Sequence, residues 1–128
     1  MPVQLSKIDI KRRLHLMIIG DVKGQIYNLI KEKGGVTFVE IEKLPNCKPM
    51  EECSMNLPGY PTILLWNGLS EITYKAIADL WNEGKIKATP THYLTYMADG
   101  KCLRLPIARR PYHYKKLHWL PIAFDVVK

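Results

Sequence analysis

The clearest structural signal in the chain lies in residues 70–84, which read SEITYKAIADLWNEG. Ser70 is a favoured N-cap residue, and Glu71 in the first turn complements the positive end of the helix dipole. Apolar residues then recur at helical spacing as far as Leu80, and Gly84 is a typical helix stop. The sequence therefore predicts a helix over residues 70–83.

A second helix is predicted upstream, over residues 21–33. Asp21 is its expected N-cap, apolar residues recur at spacings of three and four, and Gly34 follows the last turn. The residues before it, 5–19, fit either a helix with a following strand or one irregular helix. Ser6 is a candidate start for that segment.

Between these helices the pattern is more broken. Thr37 and Glu40 form a capping box, in which a hydroxyl and a carboxylate each accept a hydrogen bond from a backbone N–H group, for a short helix over residues 38–44. Residues 45–61 contain four prolines and are predicted to be loop. Residues 62–66 are apolar and predict a short buried strand, closed by an Asn-Gly turn.

After the helix over 70–83, the sequence predicts a strand pair within residues 85–108. Residues 92–97 are rich in Tyr and Thr, which favour strands, and Asp99-Gly100 is a typical two-residue hairpin turn. The return strand is expected over residues 102–107. The remaining residues, 109–128, are predicted to be a basic and aromatic C-terminal extension whose apolar end packs back onto the core.

The composition indicates one globular domain, residues 1–128. Hydrophobic residues make up 47% and charged residues 24%, which excludes disordered, collagenous and coiled-coil classes. No apolar run is long enough to cross a membrane, so no membrane partner is expected. The three cysteines are an odd number and no secretory leader is recognisable, which predicts reduced thiols and a cytoplasmic protein.

The order of the predicted elements resembles that of winged helix-turn-helix domains. IYNLIKEKGGVTFVEI (residues 26–41) looks like the first helix of such a domain and the entry to its second. AIADLWNEGKI (residues 76–86) resembles the end of the third helix, where a glycine precedes the first wing strand. The resemblance covers about residues 21–108, after an N-terminal segment of residues 1–20, and implies an α+β fold with a β-hairpin wing.

The chain departs from that family in one respect. The family joins its second and third helices by a short turn, whereas here residues 45–69 lie between them. Either a segment is inserted at this point, or the middle helix is misassigned and the fold is a different α+β arrangement.

The distribution of charge points to a polyanion as partner. The net charge is +7, basic residues concentrate at both ends of the chain, and residues 14–84 are mildly acidic. Such asymmetry is typical of nucleic-acid-binding proteins. The competing interpretation is a solvated surface that keeps the chain soluble.

The resemblance implies that the third helix enters the major groove and that the wing contacts the backbone. Base contacts would come from Lys75 and Asn82, although three carboxylates in the same helix disfavour direct reading of bases. The interleaved cations and aromatic rings of the extension are also typical of single-strand binding. The candidate phosphate contacts are Lys85, Lys87, Lys101, Arg104, Arg109, Arg110, Lys115 and Lys116, and the cations of the wing and extension are expected to form one continuous exposed strip.

Two other functions are compatible with the sequence. One is a protein-interaction module of winged-helix type. The other is a small thiol-dependent enzyme using Cys102 and His92 across the hairpin. A homodimer is compatible with the sequence in either case, with the helical end segments and the C-terminal extension as its candidate surface. No metal or cofactor is predicted, because Cys47 and Cys53 are spaced more widely than usual zinc ligands and their possible partners are distant. Since no catalytic motif is recognisable, the sequence favours a non-enzymatic protein.

Overall fold

Helices and strands are mixed along the chain, which forms an α+β domain. The computed structural model describes the backbone of residues 7–128 and the side chains of residues 10–14 and 17–128, so the proposed start at Ser6 lies outside the described residues. The helices are α1 (Lys7–Lys33), α2 (Phe38–Glu42), α3 (Glu71–Asn82) and α4 (Tyr93–Asp99). The strands are β1 (Cys53–Leu57), β2 (Tyr60–Leu69), β3 (Ile86–Pro90), β4 (His118–Trp119) and β5 (Ile122–Val126).

The first helix is longer than predicted. It already includes Lys7, so Asp21 lies inside the helix and the predicted N-cap is wrong. Polar residues here occupy the solvent side of a continuous helix rather than marking a new start. The predicted stop is confirmed, because Gly34 has φ +68° and its N–H donates to the Ile30 carbonyl at 2.8 Å. Residues 7–20 are therefore part of one helix, and the alternative of a helix followed by a strand is wrong for these residues.

The short second helix is confirmed in part. The Thr37 hydroxyl accepts a hydrogen bond from the Glu40 N–H at 3.3 Å, which is one half of the capping box. The Glu40 carboxylate instead accepts a hydrogen bond from Lys33. Helix α2 ends at Glu42, two residues before the predicted end, with Lys43 as its C-cap.

Helix α3 has the predicted start and stop. The Ser70 hydroxyl accepts a hydrogen bond from the Thr73 N–H at 3.2 Å, and Gly84 follows with φ +72°. Ala76 and Ile77 are fully buried on the predicted inner side, and α3 packs against α1.

The segment predicted to be loop, 45–61, is irregular only as far as residue 52, and the rest of it forms part of a sheet. Strands β1 and β2 pair in antiparallel orientation and are joined through Pro58 and Gly59, where Gly59 has φ +83°. A Pro-Gly pair suits a tight turn, so these residues close a hairpin instead of an irregular loop. Asn67 and Gly68 lie within β2 at an irregularity of the register, so the predicted turn at this point is also wrong.

The predicted hairpin over residues 92–107 is wrong, since helix α4 takes its first half. The His92 ring nitrogen accepts a hydrogen bond from the Leu94 N–H at 3.1 Å and caps the helix. Gly100, at φ +103°, ends it. A glycine with positive φ suits a hairpin turn and a helix end equally well, so Asp99-Gly100 alone does not distinguish the two. The expected return arm forms only one isolated bridge, from Ile107 to Trp119.

The partner of β3 is instead β5, near the end of the chain. The two strands pair in antiparallel orientation, and Val36 bridges Phe124 on the other side of β5. Strand β4 runs parallel to β2. Residues 109–128 are thus part of the domain rather than an extension, and the prediction that their apolar end packs onto the core is confirmed.

Aromatic side chains from distant parts of the sequence form the centre of the core. The Trp66 ring on β2 stacks with Phe38 at a centroid distance of 5.9 Å and also contacts Tyr96 and Trp119 at 5.1 and 6.0 Å. Phe124 packs edge-on against Phe38 at 5.2 Å. This cluster connects α2, α4, β2, β4 and β5.

None of the helices in the described residues combines the length and apolar character that a membrane span requires.

Candidate nucleic-acid interface

The most basic part of the chain is a surface segment, residues 100–117, called here the basic segment. It lies between α4 and β4 and contains no Asp or Glu. Its six Lys and Arg residues are all exposed: Lys101, Arg104, Arg109, Arg110, Lys115 and Lys116. A surface of this kind attracts anions, because no carboxylate within the segment competes for its cations.

Although irregular, the basic segment is held in place by buried residues. On its upstream side, the Tyr96 hydroxyl donates to the Ile122 carbonyl at 2.6 Å, and burial raises the pKa of that hydroxyl. In its middle, the Ala108 N–H donates to the Trp119 carbonyl at 2.8 Å. On its downstream side, the Trp119 ring N–H donates to the Leu65 carbonyl at 3.1 Å. The exposed cations therefore project from a fixed backbone.

Only one of the six cations has a carboxylate partner among the described residues. Lys101 Nζ lies 2.9 Å from the Glu42 carboxylate and 5.9 Å from the centre of the Trp66 ring. Glu42 also accepts a hydrogen bond from the Trp66 ring N–H at 2.6 Å. The ion pair between Lys101 and Glu42 therefore lies at the edge of the hydrophobic core. The other five cations are the ones free to bind an external anion.

Two of those five cations lie at an apolar cavity. Arg109 and Arg110 line a cavity of about 220 Å³ between α3, β3 and β5, and Trp81 and Leu120 form part of its wall. The Arg110 guanidinium also lies 5.1 Å from the centre of the Tyr112 ring. Both arginines therefore lie beside β3, the first strand after α3.

Most aromatic rings of this region pack against the domain itself. The His113 ring stacks on Tyr60 at 4.8 Å, and the Tyr114 ring stacks on His118 at 3.9 Å. Trp119 is buried. Tyr112 alone among the rings of the basic segment combines large size with high exposure, at 51%. The geometry therefore supports contacts to a phosphate backbone more than a platform of stacked bases.

The surface of α3 offers a different electrostatic environment. Lys75 forms an ion pair with Glu71 at 2.8 Å. Glu83 pairs with Lys23 at 2.6 Å and with Lys85 at 3.3 Å, and hydrogen bonds from these two lysines hold the pKa of its carboxyl below the usual value. The two lysines predicted to contact nucleic acid here, Lys75 and Lys85, are thus engaged with carboxylates.

The remaining predicted contacts lie elsewhere. Asn82 lines a cleft of about 310 Å³ beside Tyr74 and Trp81. Lys87 lines another cleft, of about 550 Å³. Its neighbour Ala88 lies on the opposite face of β3 and lines the cavity that contains Arg109 and Arg110. The predicted cations therefore do not line one common cleft, and those of the basic segment share a stretch of sequence without acidic residues.

The cysteines do not form a site. Cys102 is exposed just after the C-terminal end of α4, while His92 caps its N-terminal end, so the proposed pair across a hairpin is wrong. Cys47 is buried, and burial raises the pKa of its thiol. In the part of the chain that the structure describes, no three His, Cys, Asp or Glu side chains are grouped as metal ligands would be.

Sequence reasoning missed the anchors of the basic segment. Tyr96 and Trp119 fix its ends, but the Tyr and Thr content of residues 92–97 predicts a strand and not the helix that buries Tyr96. The signal that could have found this helix is His92 before it and Gly100 after it, a cap and a stop with seven residues between them. Comparison with known proteins gives no match to a family model, a curated protein or a solved structure.

Proposed function

We propose that this protein is a non-enzymatic nucleic-acid-binding domain, which contacts the phosphate backbone through the basic segment. The observation that carries the proposal is the group of five exposed cations without a carboxylate partner among the described residues, in a segment without acidic residues. Arginine suits this role because its planar guanidinium binds a phosphate with two parallel hydrogen bonds.

The order of elements supports a winged helix-turn-helix interpretation of the fold. The C-terminal half of α1, then α2 and α3, supply three helices, with the β1–β2 hairpin inserted between the second and third. Strand β3 follows α3 directly after Gly84, and it pairs with β5. In this interpretation β3 and β5 are the wing strands, and the residues between them, 91–121, form an enlarged wing that contains the basic segment.

The charge pattern sets the expected mode of binding. Helix α3 has carboxylates at its surface, and these repel phosphates, so base reading in the major groove is disfavoured. Phosphate contacts carry little sequence information. Binding is therefore expected to tolerate many sequences and to weaken steeply as salt concentration rises.

Fluorescence anisotropy with labelled DNA tests this function. Duplex and single-stranded DNA of equal length would each be titrated at about 50 and about 200 mM salt, because binding by cations weakens over this range. The variants R109Q/R110Q and K115Q/K116Q each remove two cations of the basic segment. We expect each variant to lower affinity and to reduce the slope of log affinity against log salt by about 1 to 2.

The matched control is K31Q/K128Q, which removes the same charge from exposed positions outside the basic segment. It should retain nearly all the affinity. Equal losses in all three variants would indicate a response to net charge alone, and no binding at the lower salt concentration would refute the proposal.

A protein-interaction role is the second candidate, and one observation favours it. Helix α4 exposes Tyr93, Leu94 and Met97, which lie on one side of the helix at spacings of one and four. Exposed apolar side chains grouped in this way are typical of a docking surface. This function would replace the first if DNA binding were not detected.

A further inference from the structure

The N-terminal half of α1 exposes a stripe of large apolar side chains, called here the α1 stripe. Its members are Ile10, Leu14, Met17 and Ile18, which are 46, 53, 65 and 41% exposed. Their spacing of four, seven and eight residues places all of them on one side of the helix. Four large apolar residues in one continuous row are costly to leave in water, and such rows mark interaction surfaces.

Folding of the domain does not cover this stripe. The residues that α1 buries against the domain, Val22, Ile26 and Ile30, lie on a different side of the helix. At about 100° per residue, the two sides are roughly a third of a turn apart. A second polypeptide can therefore approach the stripe without displacing the contacts between α1 and α3.

The stripe continues into a charged position at its C-terminal end. With Ile10 and Met17 at d positions of a heptad, Leu14 and Asp21 occupy a positions, and Lys11 flanks the seam. Lys11 and Asp21 are both exposed, and neither has a carboxylate or ammonium partner among the described residues. The stripe thus has an exposed cation near one end and an exposed anion at the other.

This arrangement is complementary to itself in antiparallel orientation. When a second copy of α1 runs in the opposite direction, Leu14 of each copy faces Met17 of the other. Ile10 then faces Asp21 of the other copy, which brings that carboxylate beside Lys11. In parallel orientation the two Asp21 carboxylates would face each other and repel.

The surface beside Asp21 is open to an incoming helix. Gly20 and Gly24 are exposed, and a Cβ atom added to either would have no heavy atom within 4 Å. Two residues without side chains allow a helix to approach closely at this point.

We propose that this protein forms a homodimer in which the N-terminal halves of two α1 helices pack antiparallel along the α1 stripe. The occupant of the stripe is a second copy of this chain, selected by the opposite charges at its two ends. This inference concerns a surface outside the basic segment and does not depend on the proposed binding of nucleic acid.

Sedimentation equilibrium of the full chain tests the dimer. Between about 5 and about 500 µM, the wild-type protein should pass from monomer toward dimer. Leu14→Glu places a charge at the centre of the interface and should weaken association by more than about a hundredfold. Leu94→Glu, on the exposed face of α4, is the matched control and should dimerise like the wild type.

Three outcomes would overturn the proposal: a wild-type monomer over the whole range, a dimer that Leu14→Glu leaves intact, or equal loss of dimer in Leu94→Glu. Far-UV circular dichroism of each variant checks that the domain is folded, which is expected because the changed side chains are exposed.

A charge exchange tests the orientation of the two helices. Lys11→Asp and Asp21→Lys should each weaken the dimer by about fivefold, because each change replaces two attractive pairs by repulsive ones. The double variant K11D/D21K restores opposite charges across an antiparallel interface and should recover most of the affinity. Failure of the double variant to recover would contradict the antiparallel arrangement.

Discussion

The surface of α3 and the basic segment both carry cations, but their electrostatic environments differ. On α3, Lys75 is paired with Glu71, and the nearby Lys23 bridges Asp79 and Glu83. In the basic segment, five cations have no carboxylate partner among the described residues. The comparison shows that a net charge of +7 says little about binding until the partners of each cation are known. The placement of acidic residues decides which cations remain available to a polyanion.

The two regions also differ in what holds them. Helix α3 is stabilised by its own cap and by a continuous buried face. The basic segment has no regular structure and depends on a few buried aromatic residues at its ends. Substitutions in the two regions should therefore differ in size and in their effect on nucleic-acid binding.

The largest effect is expected for Trp119→Ala, which removes the downstream anchor of the basic segment. Trp119 is buried and contacts Trp66 and Tyr96. Loss of a large core aromatic residue should lower the free energy of unfolding by about 3–5 kcal/mol. Urea denaturation measures this, with the exposed Tyr112→Ala as control, and similar small losses in both variants would show that the segment is not anchored through Trp119.

A smaller effect is expected for Tyr96→Phe, which removes the upstream hydrogen bond. The Ile122 carbonyl would lose a buried donor, at a cost of about 1–2 kcal/mol in the free energy of unfolding near neutral pH. Denaturation by urea measures the difference between the variant and the wild type. An unchanged midpoint would mean that this bond does not hold the segment.

The same hydroxyl makes the wild type sensitive to alkali. Because burial raises the pKa of Tyr96 above the ordinary value of 10.0, the folded chain retains a proton that the unfolded chain loses above that pH. Its contribution to stability is therefore complete below pH 10 and declines as the pH rises further, by at most about 1.4 kcal/mol per pH unit. Tyr96→Phe should lack this part of the decline, and parallel pH curves for the two proteins would contradict the assignment.

On the α3 side, Ser70→Ala removes the helix cap. The Thr73 N–H loses its acceptor, and the free energy of unfolding should fall by about 1 kcal/mol. Thermal unfolding followed by circular dichroism detects such a change. Ser70→Gly should cost less than Ser70→Ala, because glycine is tolerated at this position, and the reverse order would argue against capping as the cause.

The smallest effect is expected for Lys75→Gln. Lys75 and Glu71 are about half exposed, and solvent-exposed pairs of this kind contribute little to stability because water screens them. Affinity for DNA should also stay within error of the wild type, in contrast to the variants of the basic segment. A clear loss of DNA binding would show that α3 contacts nucleic acid, and the contrast between the two regions would then fail.

The features that the sequence predicted correctly depend on short-range signals. Helix α3 was predictable because Ser70, its apolar spacing and Gly84 all lie within fifteen residues and agree with one another. The sequence of residues 92–100 fits two structures, because Tyr and Thr favour strands while His92 and Gly100 suit the ends of a helix. Packing of Tyr96 into the core decides between them, and that contact involves residues far along the chain.

The candidate site was predictable in the same limited sense. The sequence identified the cations of residues 100–117, since a run without acidic residues is visible directly. It could not show that Lys101 pairs with Glu42, which is 59 residues away, or that Glu83 pairs with Lys23, which is 60 residues away. Pairing of charges across a fold depends on the tertiary structure and leaves no mark in the local sequence.

The position of β5 has a consequence for how the domain is made. This strand, Ile122–Val126, lies between Val36 and β3, so its hydrogen bonds join regions that are synthesised earlier. During translation, α1, α2 and α3 leave the ribosome before the strand that completes their sheet exists. The nascent chain must leave the edge of β3 and the side of Phe38 that contacts Phe124 uncovered until β5 has been synthesised, which makes that interval a period of exposure to aggregation.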